Sequence, residues 1–283
     1  MPHCDRAPIH LGSQVGSREP ILLLHPFMMS QNVWKAVAPK LAETGRYEVF
    51  APTMLGHNGA PRGPLFLDSA SLADDVENQL DQIGWGSAHI VGNSLGGWVA
   101  FELERRGRAR TLTAIAPAGG WTRYAPAKFE TIFKFVAGAP LWVLTRVLGP
   151  RVLSLPFSRE IAYLPISGSP DGLSETDLID IIDDVGHCPA YYQLLFKSLL
   201  LPGLLELAET RAPTHLVLCE KDRVLPPPRF EPHFTNDLPA NTRVTRLDGV
   251  GHIPMFEAPG RITELILGFV DEYARPGARA RLG

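Results

Sequence analysis

Cysteine is scarce in this sequence of 283 residues. The three cysteines, Cys4, Cys188 and Cys219, lie far apart. Metal sites and disulfide frameworks use cysteines at short or regular spacings, and no such spacing occurs here. His187 stands beside Cys188, but no third ligand follows at helical spacing. We therefore expect no metal, no cofactor, no disulfide framework and a reducing compartment.

An apolar leader is missing as well. Residues 1–20 are polar and lack the hydrophobic core of a signal peptide. The most hydrophobic later stretch, 132–148, is interrupted by Lys134, Pro140 and Arg146, which argues against a transmembrane helix. We therefore expect a cytoplasmic protein without a membrane span.

Neither sign of charge dominates. The sequence has 27 Lys and Arg against 30 Asp and Glu, for a net charge of -3. The one basic run, Arg105 to Arg110, lies at the end of a predicted helix, where cations complement the helix dipole. This balance gives no reason to expect a nucleic-acid partner, and the sequence leaves the oligomeric state open.

Apolar runs alternate with amphipathic stretches over the first 116 residues. Predicted strands cover 7–11, 21–24, 47–51, a run ending at 91, and 111–116, and predicted helices cover 31–43, 69–83 and 95–107. Strict alternation of this kind is typical of right-handed βαβ units and a mostly parallel sheet. The length suffices for one large α/β domain with an insertion.

The alternation stops after Gly119-Gly120. Residues 121–202 favour helices and are rich in aromatic side chains, with a break expected at Gly138-Ala139-Pro140. Strands are predicted again at 214–219 and 243–247, before a last helix ending at 273. We therefore predict an α/β core at 1–120 and 203–283, a helical cap, or lid, at 121–202, and a disordered tail at 274–283.

A G-x-S-x-G motif, residues 92–96, joins a predicted strand to a predicted helix. A serine at such a tight turn adopts a strained backbone conformation, and small neighbours give the turn its room. Here Gly92 and Gly96 are those neighbours of Ser94. The motif also arises by chance in glycine-rich chains, so its meaning depends on partners elsewhere.

Ser94 needs a base and an acid to become a nucleophile. Asp222 follows a predicted buried strand, and His252 lies in the loop after the last one. Glu220 is a competing acid, but Asp222 leaves the chain more room to turn back toward the His252 loop. The order Ser, Asp, His, with each residue at a strand end, favours a catalytic triad over three unrelated loop residues.

Two main-chain amides are predicted to receive an oxyanion. The Leu95 amide lies at a helix N-terminus directly after Ser94. The second donor is expected in the loop after the first central strand, where the Phe27 amide qualifies because Pro26 has no N–H. His25 is expected to brace this loop.

These residues resemble the α/β-hydrolase superfamily, in its lid-bearing branch of esterases and C–C hydrolases, over roughly residues 7–273. The matching motifs are 22–27 (Leu-Leu-Leu-His-Pro-Phe), 56–59 (Gly-His-Asn-Gly), 92–97 (Gly-Asn-Ser-Leu-Gly-Gly), 220–224 (Glu-Lys-Asp-Arg-Val) and 251–254 (Gly-His-Ile-Pro). The family usually has His-Gly where this chain has His25-Pro26.

The resemblance implies an α/β-hydrolase fold in which Ser94 is the nucleophile, Asp222 the acid and His252 the base. It also implies that the amides of Phe27 and Leu95 form the oxyanion hole. Serine at position 94 disfavours the haloalkane dehalogenase and epoxide hydrolase relatives, whose ester intermediates need a carboxylate nucleophile.

The aromatic cap favours an apolar substrate. Met28, Trp98, Phe133 and Trp142 are predicted to contact it. We expect a carboxylesterase acting on an apolar small-molecule ester. Two alternatives stay open at this point: a C–C hydrolase of a meta-cleavage-type diketone, which uses the same residues, and a non-catalytic ligand-binding protein on a hydrolase scaffold.

Overall fold

The predicted strands form one sheet. The computed structural model describes residues 6–13 and 18–274, and in these ranges the sheet has seven strands. They are β1 (Ile9–Leu11), β2 (Glu19–Leu24), β3 (Tyr47–Ala51), β4 (Ala88–Asn93), β5 (Ala109–Ile115), β6 (Thr214–Cys219) and β7 (Arg243–Leu247). Their order is β1-β3-β2-β4-β5-β6-β7, and only the β1–β3 pair is antiparallel among these strands. The predicted fold class is confirmed.

Helices connect the strands and cover the sheet. The α-helices of the described residues are α1 (Ala38–Glu43), α2 (Ser69–Gln82), α3 (Leu95–Arg105), α4 (Pro126–Leu148), α5 (Ser158–Tyr163), α6 (Glu175–Gly186), α7 (Tyr191–Leu200), α8 (Pro227–Asp237), α9 (Pro254–Glu257) and α10 (Pro259–Tyr273). Short 3-10 helices occur at Gln31–Trp34, Gly149–Ser154, Pro170–Gly172 and Leu207–Glu209.

The central strands are apolar because both faces of the sheet are covered. In β2, Leu22 and Leu24 pack into the hydrophobic cluster on one face, while Ile21 and Leu23 pack into the cluster on the other. All four side chains are fully buried. A strand buried on both faces appears in the sequence as a continuous apolar run, which is why these strands were predictable.

Two predicted helix boundaries need correction. The helix expected at 31–43 is a 3-10 turn followed by α1, because a proline at position 39 offers no N–H to a longer helix and is accommodated in the first turn of α1. Conversely, α4 continues through Pro140, where a break was expected. Because Pro140 has no N–H, the Val136 carbonyl loses its hydrogen-bond partner in the helix. Val136 is half-exposed, so water can reach this carbonyl instead.

Between β5 and β6 the described chain forms helices without strands. We call the segment containing α4 to α7 the helical insertion. By length and composition alone, the stretch Pro126–Ser154 could cross a membrane. Such a test does not establish a span, so the absence of one stays a prediction, as do the cytoplasmic location and the core and cap boundaries. The predicted tail, apart from Ala274, lies outside the described residues.

A buried carboxylate ties the helical insertion to the sheet. Asp184 in α6 is 2% exposed and accepts hydrogen bonds from Ser30 Oγ (2.6 Å), Asn58 Nδ2 (3.1 Å) and Arg6 (3.2 Å). Ser30 and Asn58 belong to loops after β2 and β3, so one side chain connects three segments. Burial outweighs these donors and raises the pKa of Asp184 to about 6.

This raised pKa predicts a pH-dependent stability. Since the folded protein holds the Asp184 proton more tightly than the unfolded chain, whose ordinary pKa is 3.8, the proton-linked stability is present below pH 4 and is lost as the pH rises to 6. The difference in unfolding free energy between the wild type and Asp184→Asn should fall by roughly 3 kcal/mol over that interval and stay level above it.

Urea denaturation followed by circular dichroism at pH 4 to 7 measures this difference. Asp183→Asn is the control, because Asp183 is 48% exposed and its variant should keep the wild-type slope. A difference for Asp184→Asn that is flat across the interval would contradict the linkage.

Candidate active site

Ser94 lies at a strained turn between β4 and α3. Its φ is 55° and its ψ is -115°, a conformation that side-chain-bearing residues rarely adopt. Glycine makes the turn possible, because a Cβ on Gly92 would stand 2.2 Å from the Gly96 carbonyl oxygen. A Cβ on Gly96 would stand 2.3 Å from the Leu24 carbonyl oxygen. The first turn of α3 therefore lies directly against the end of β2.

This turn lies at the crevice where the strand order reverses. After β2 the chain goes to β3 on one side, and after β4 it goes to β5 on the other. Loops leaving adjacent parallel strands in opposite directions open a crevice at their carboxyl ends, which is where α/β sheets bind ligands. Phe27 follows β2 and Ser94 follows β4, so both border that crevice.

Asp222 and His252 form a buried pair. His252 Nδ1 lies 2.6 Å from Asp222 Oδ2, and the two residues are 5% and 4% exposed. The other carboxylate oxygen accepts the N–H groups of Val224 (2.8 Å) and Leu225 (2.7 Å). With Nδ1 donating to the carboxylate, Nε2 of the neutral ring is a proton acceptor.

Glu220, the competing acid, points elsewhere. Its carboxylate accepts the Gly249 N–H at 2.7 Å on the protein surface. The chain runs two residues past the end of β6 before a side chain, that of Asp222, reaches the His252 ring. This spacing agrees with the reason for preferring Asp222 to Glu220 in the sequence.

Asn93 holds the His252 loop beside the strained turn. Its Nδ2 donates to the Ile115 carbonyl and to the His252 carbonyl, both at 3.0 Å. Glu257 holds the same loop from the other side by accepting the Gly251 N–H, and it also accepts Gly168 N–H (3.0 Å) from the helical insertion. Neither residue was predicted from the sequence to hold the site. A polar residue directly before the serine was the one signal for Asn93, and Glu257 had none.

Ser94 and His252 line one cavity. Within the described residues, the Ser94 hydroxyl makes no hydrogen bond with the His252 ring, and the neighbouring Asn93 donates to the His252 carbonyl. Nucleophile–base hydrogen bonds are often long in enzymes without substrate and tighten in the complex. The arrangement therefore places a proton acceptor and a hydroxyl at one apolar surface.

Two amides adjoin Ser94. Leu95 is the first residue of α3, so its N–H has no acceptor inside the helix. The Phe27 N–H donates to no acceptor among the described residues. Both residues line a small pocket together with Ser94. The geometry suits stabilisation of a negative oxygen near the Ser94 hydroxyl.

His25 braces the loop that carries Phe27. The Met54 N–H donates to its Nε2 at 2.8 Å, so Nδ1 bears the proton and donates to the Pro26 carbonyl at 2.9 Å. Complete burial lowers the pKa of His25 well below its usual value and keeps the ring neutral. With both ring nitrogens engaged, His25 acts as the expected structural brace.

Two cavities meet at Ser94. The larger has a volume of about 430 Å³ and lies between the sheet and the helical insertion. The smaller has a volume of about 70 Å³ and borders the start of α3. Four residues line both, namely Phe27, Ser94, Phe135 and Val224. Phe135 was not predicted from the sequence to lie at the site.

Three of the four predicted substrate contacts lie at these cavities. Met28 and Trp142 line the larger one and Trp98 lines the smaller one. Phe133 is a correction, since it lines neither cavity and is 68% exposed. It stands two residues before Phe135, or about 200° around α4, so its side chain points away from the site.

Within the part of the chain that the structure describes, no three His, Cys, Asp or Glu side chains group as metal ligands. His187 instead lies beside the neighbouring carboxylate of Asp183, 3.1 Å from its Oδ1.

Known proteins share this fold and, in part, this sequence. Epoxide hydrolase EphH of Mycobacterium tuberculosis (strain ATCC 25618 / H37Rv) is 67% identical over 206 residues, which are 73% of this chain and 96% of that protein. A thermophilic esterase from Thermogutta terrifontis superimposes with a TM-score of 0.72 and 20% identity over 95% of this chain and all of that one. The epoxide hydrolase CorEH superimposes with a TM-score of 0.71 and 20% identity over 92% and 94% of the two chains.

The two solved structures show the fold alone at such identities. The family model described as the alpha/beta hydrolase family matches residues 21–265, which include Ser94, Asp222 and His252. This match agrees with the prediction of a hydrolase. The chain belongs to the alpha/beta hydrolase family.

Proposed function

We propose that this hydrolase works by acyl transfer through Ser94 and is a carboxylesterase for apolar small-molecule esters. The observation that carries the proposal is the buried Asp222–His252 pair, which opens with Ser94 onto one apolar cavity. A serine, an imidazole acceptor and a carboxylate that orients the imidazole are the parts that acyl transfer needs.

In the first half of the reaction, His252 Nε2 takes the proton of the Ser94 hydroxyl as its oxygen attacks the ester carbonyl. The carbonyl oxygen becomes negative and receives the N–H groups of Leu95 and Phe27. The C–O bond to the alcohol then breaks, and the imidazolium gives its proton to the leaving oxygen. The acyl group stays on Ser94.

In the second half, His252 takes a proton from water, whose oxygen attacks the acyl carbon. The bond to Ser94 breaks, the serine recovers its proton from His252, and the carboxylic acid leaves. Asp222 stabilises the imidazolium in both halves, and its two bonds from backbone amides keep its second oxygen in place.

Epoxide hydrolysis is the second candidate, because the 67% identical relative carries that name. Attack of the Ser94 oxygen on an epoxide carbon would form an ether, which has no carbonyl for water to attack, so the enzyme would stop after one turnover. An epoxide activity of this chain would therefore require His252 to deprotonate water for direct attack on the ring, with no bond to Ser94.

Substitution of the nucleophile separates these mechanisms. Ser94→Ala should lower kcat for p-nitrophenyl acetate by roughly 1000-fold or more, since no acyl-enzyme forms. A fluorophosphonate should add its mass to Ser94 in the wild type and not in the variant. If styrene oxide is hydrolysed equally by wild type and Ser94→Ala while the ester activity is absent from both, epoxide hydrolysis replaces the ester proposal.

The role of the carboxylate has a matched control in the same loop. Asp222→Asn should lower kcat by roughly 1000- to 10000-fold, because an amide can hold the ring in the wrong tautomer and cannot stabilise the imidazolium. Glu220 lies two residues earlier, and its side chain is hydrogen-bonded only to the Gly249 amide among the described residues, so Glu220→Gln should keep near wild-type kcat. Equal losses in both variants would contradict the assignment of Asp222.

A meta-cleavage-type diketone assayed under the same conditions tests the C–C hydrolase alternative. Turnover of the diketone with kcat/KM above that of the esters would favour it. Both reactions require Ser94, so this comparison concerns the substrate and not the nucleophile.

A further inference from the structure

The two cavities at Ser94 differ in size and in which catalytic group borders them. His252 lines the 430 Å³ cavity and not the 70 Å³ pocket. Leu95 lines the small pocket and not the large cavity. Both open at Ser94, so the two portions of an ester bound there in the proposed acyl transfer have two separate spaces to enter.

The chemistry assigns each half of an ester to one side. The tetrahedral carbon bears four groups: the Ser94 oxygen, the oxyanion, the leaving oxygen and the acyl chain. The leaving oxygen must lie within hydrogen-bond reach of the His252 ring to receive its proton. The alcohol portion therefore extends into the cavity that His252 borders, and the acyl chain extends toward the pocket beside Leu95.

Large buried side chains line part of the small pocket. Trp98 and Trp121 are each 6% exposed and contact each other edge to face, with ring centroids 5.6 Å apart. Lys197 and Asp68, both at this pocket, lie 3.6 Å apart as an ion pair and leave no net charge there. A volume of about 70 Å³ accommodates about two water-sized groups, which is room for an acetyl or propionyl chain.

The large cavity suits a bulky apolar group. Its volume lies within the range of pockets for drug-sized ligands, and its lining is mostly aliphatic and aromatic. Lys134 and Arg223 are the charged groups among its lining residues, and none of these residues is a carboxylate. Met28, Leu141, Trp142, Ile181 and Ile253 are typical of the surface that an alcohol portion would contact.

We propose that this protein prefers esters of short acyl chains, acetyl or propionyl, with bulky apolar alcohols. This inference rests on the proposed acyl transfer through Ser94. The inference also predicts a direction for that reaction. An ester with a long chain on the alcohol side should react well, and an ester with an equally long chain on the acyl side should react poorly.

Hexyl acetate and methyl heptanoate test the direction. These esters are constitutional isomers with unactivated alcohols, so they differ in which side of the ester bond carries the long chain. We expect kcat/KM for hexyl acetate to exceed that for methyl heptanoate by at least about tenfold, since several methylene groups have no place in the small pocket. The wild-type enzyme, assayed by pH-stat titration, gives both values.

Variants on the two sides should act in opposite ways. Trp98→Ala, which enlarges the small pocket, should raise kcat/KM for methyl heptanoate relative to hexyl acetate by about tenfold. Ile132 lines the same pocket at a less buried position, so Ile132→Ala should also raise this ratio. It replaces Trp98→Ala in the test if that variant fails to fold. Gly138→Phe, at a position that lines the large cavity and whose Cβ meets no atom within 4 Å, should lower kcat/KM for hexyl acetate and spare methyl acetate.

Three outcomes are distinguishable. A preference for hexyl acetate that Trp98→Ala or Ile132→Ala reduces supports the inference. Equal rates for the isomers, or a preference for methyl heptanoate, overturn the assignment of the two sides while acyl transfer stands. No hydrolysis of any ester, with no fluorophosphonate adduct at Ser94, overturns both this inference and the proposed function.

Discussion

The close contact between two backbone segments is the constraint on which the site depends. The first turn of α3 rests on the last residue of β2, and side chains on Gly92 or Gly96 would overlap main-chain oxygen atoms there. This contact brings the loop after β2 next to the start of α3, so that two amides from distant parts of the sequence border Ser94. The positive φ of Ser94 is the conformational cost of that approach.

Polar contacts then hold the loops around the turn. Asn93 joins the His252 loop to β5, Glu257 joins the same loop to the helical insertion, and Asp184 joins the insertion to the loop after β2. Each of these side chains bridges segments that the sequence separates widely. These hydrogen bonds are wholly or partly buried, so losing one partner would leave a buried polar group without a hydrogen bond. The bonds therefore restrict the positions that the loops can adopt.

The Thermogutta terrifontis esterase and the epoxide hydrolase CorEH share this architecture at 20% identity. Reaction type therefore follows from the side chains placed at the strand ends and not from the sheet. In this chain the residue at the turn is a serine, and in the proposed acyl transfer the bond that it forms with the substrate decides whether water can release the product. The 67% identical relative is named an epoxide hydrolase, and the proposed acyl transfer through a serine does not account for the opening of an epoxide. A comparison of ester and epoxide substrates is therefore informative.

The sequence by itself determined the strands, the order of Ser94, Asp222 and His252, and the need for glycine around the serine. These are predictable because a strand buried on both faces is a continuous apolar run, and because a tight strand-to-helix turn excludes side chains. The sequence also favoured Asp222 over Glu220, and the tertiary structure shows how the path of the loop separates them: Asp222 meets the His252 ring and Glu220 meets the Gly249 amide.

The tertiary structure also decided which side chains of α4 face the site. This helix carries apolar residues around most of its circumference, with Phe133 and Val136 exposed and Phe135 at the cavities. A helix that is apolar on every side has no periodic signal to indicate its buried face. Its orientation follows from contacts with α6 and α7, and these contacts appear only when the chain is folded.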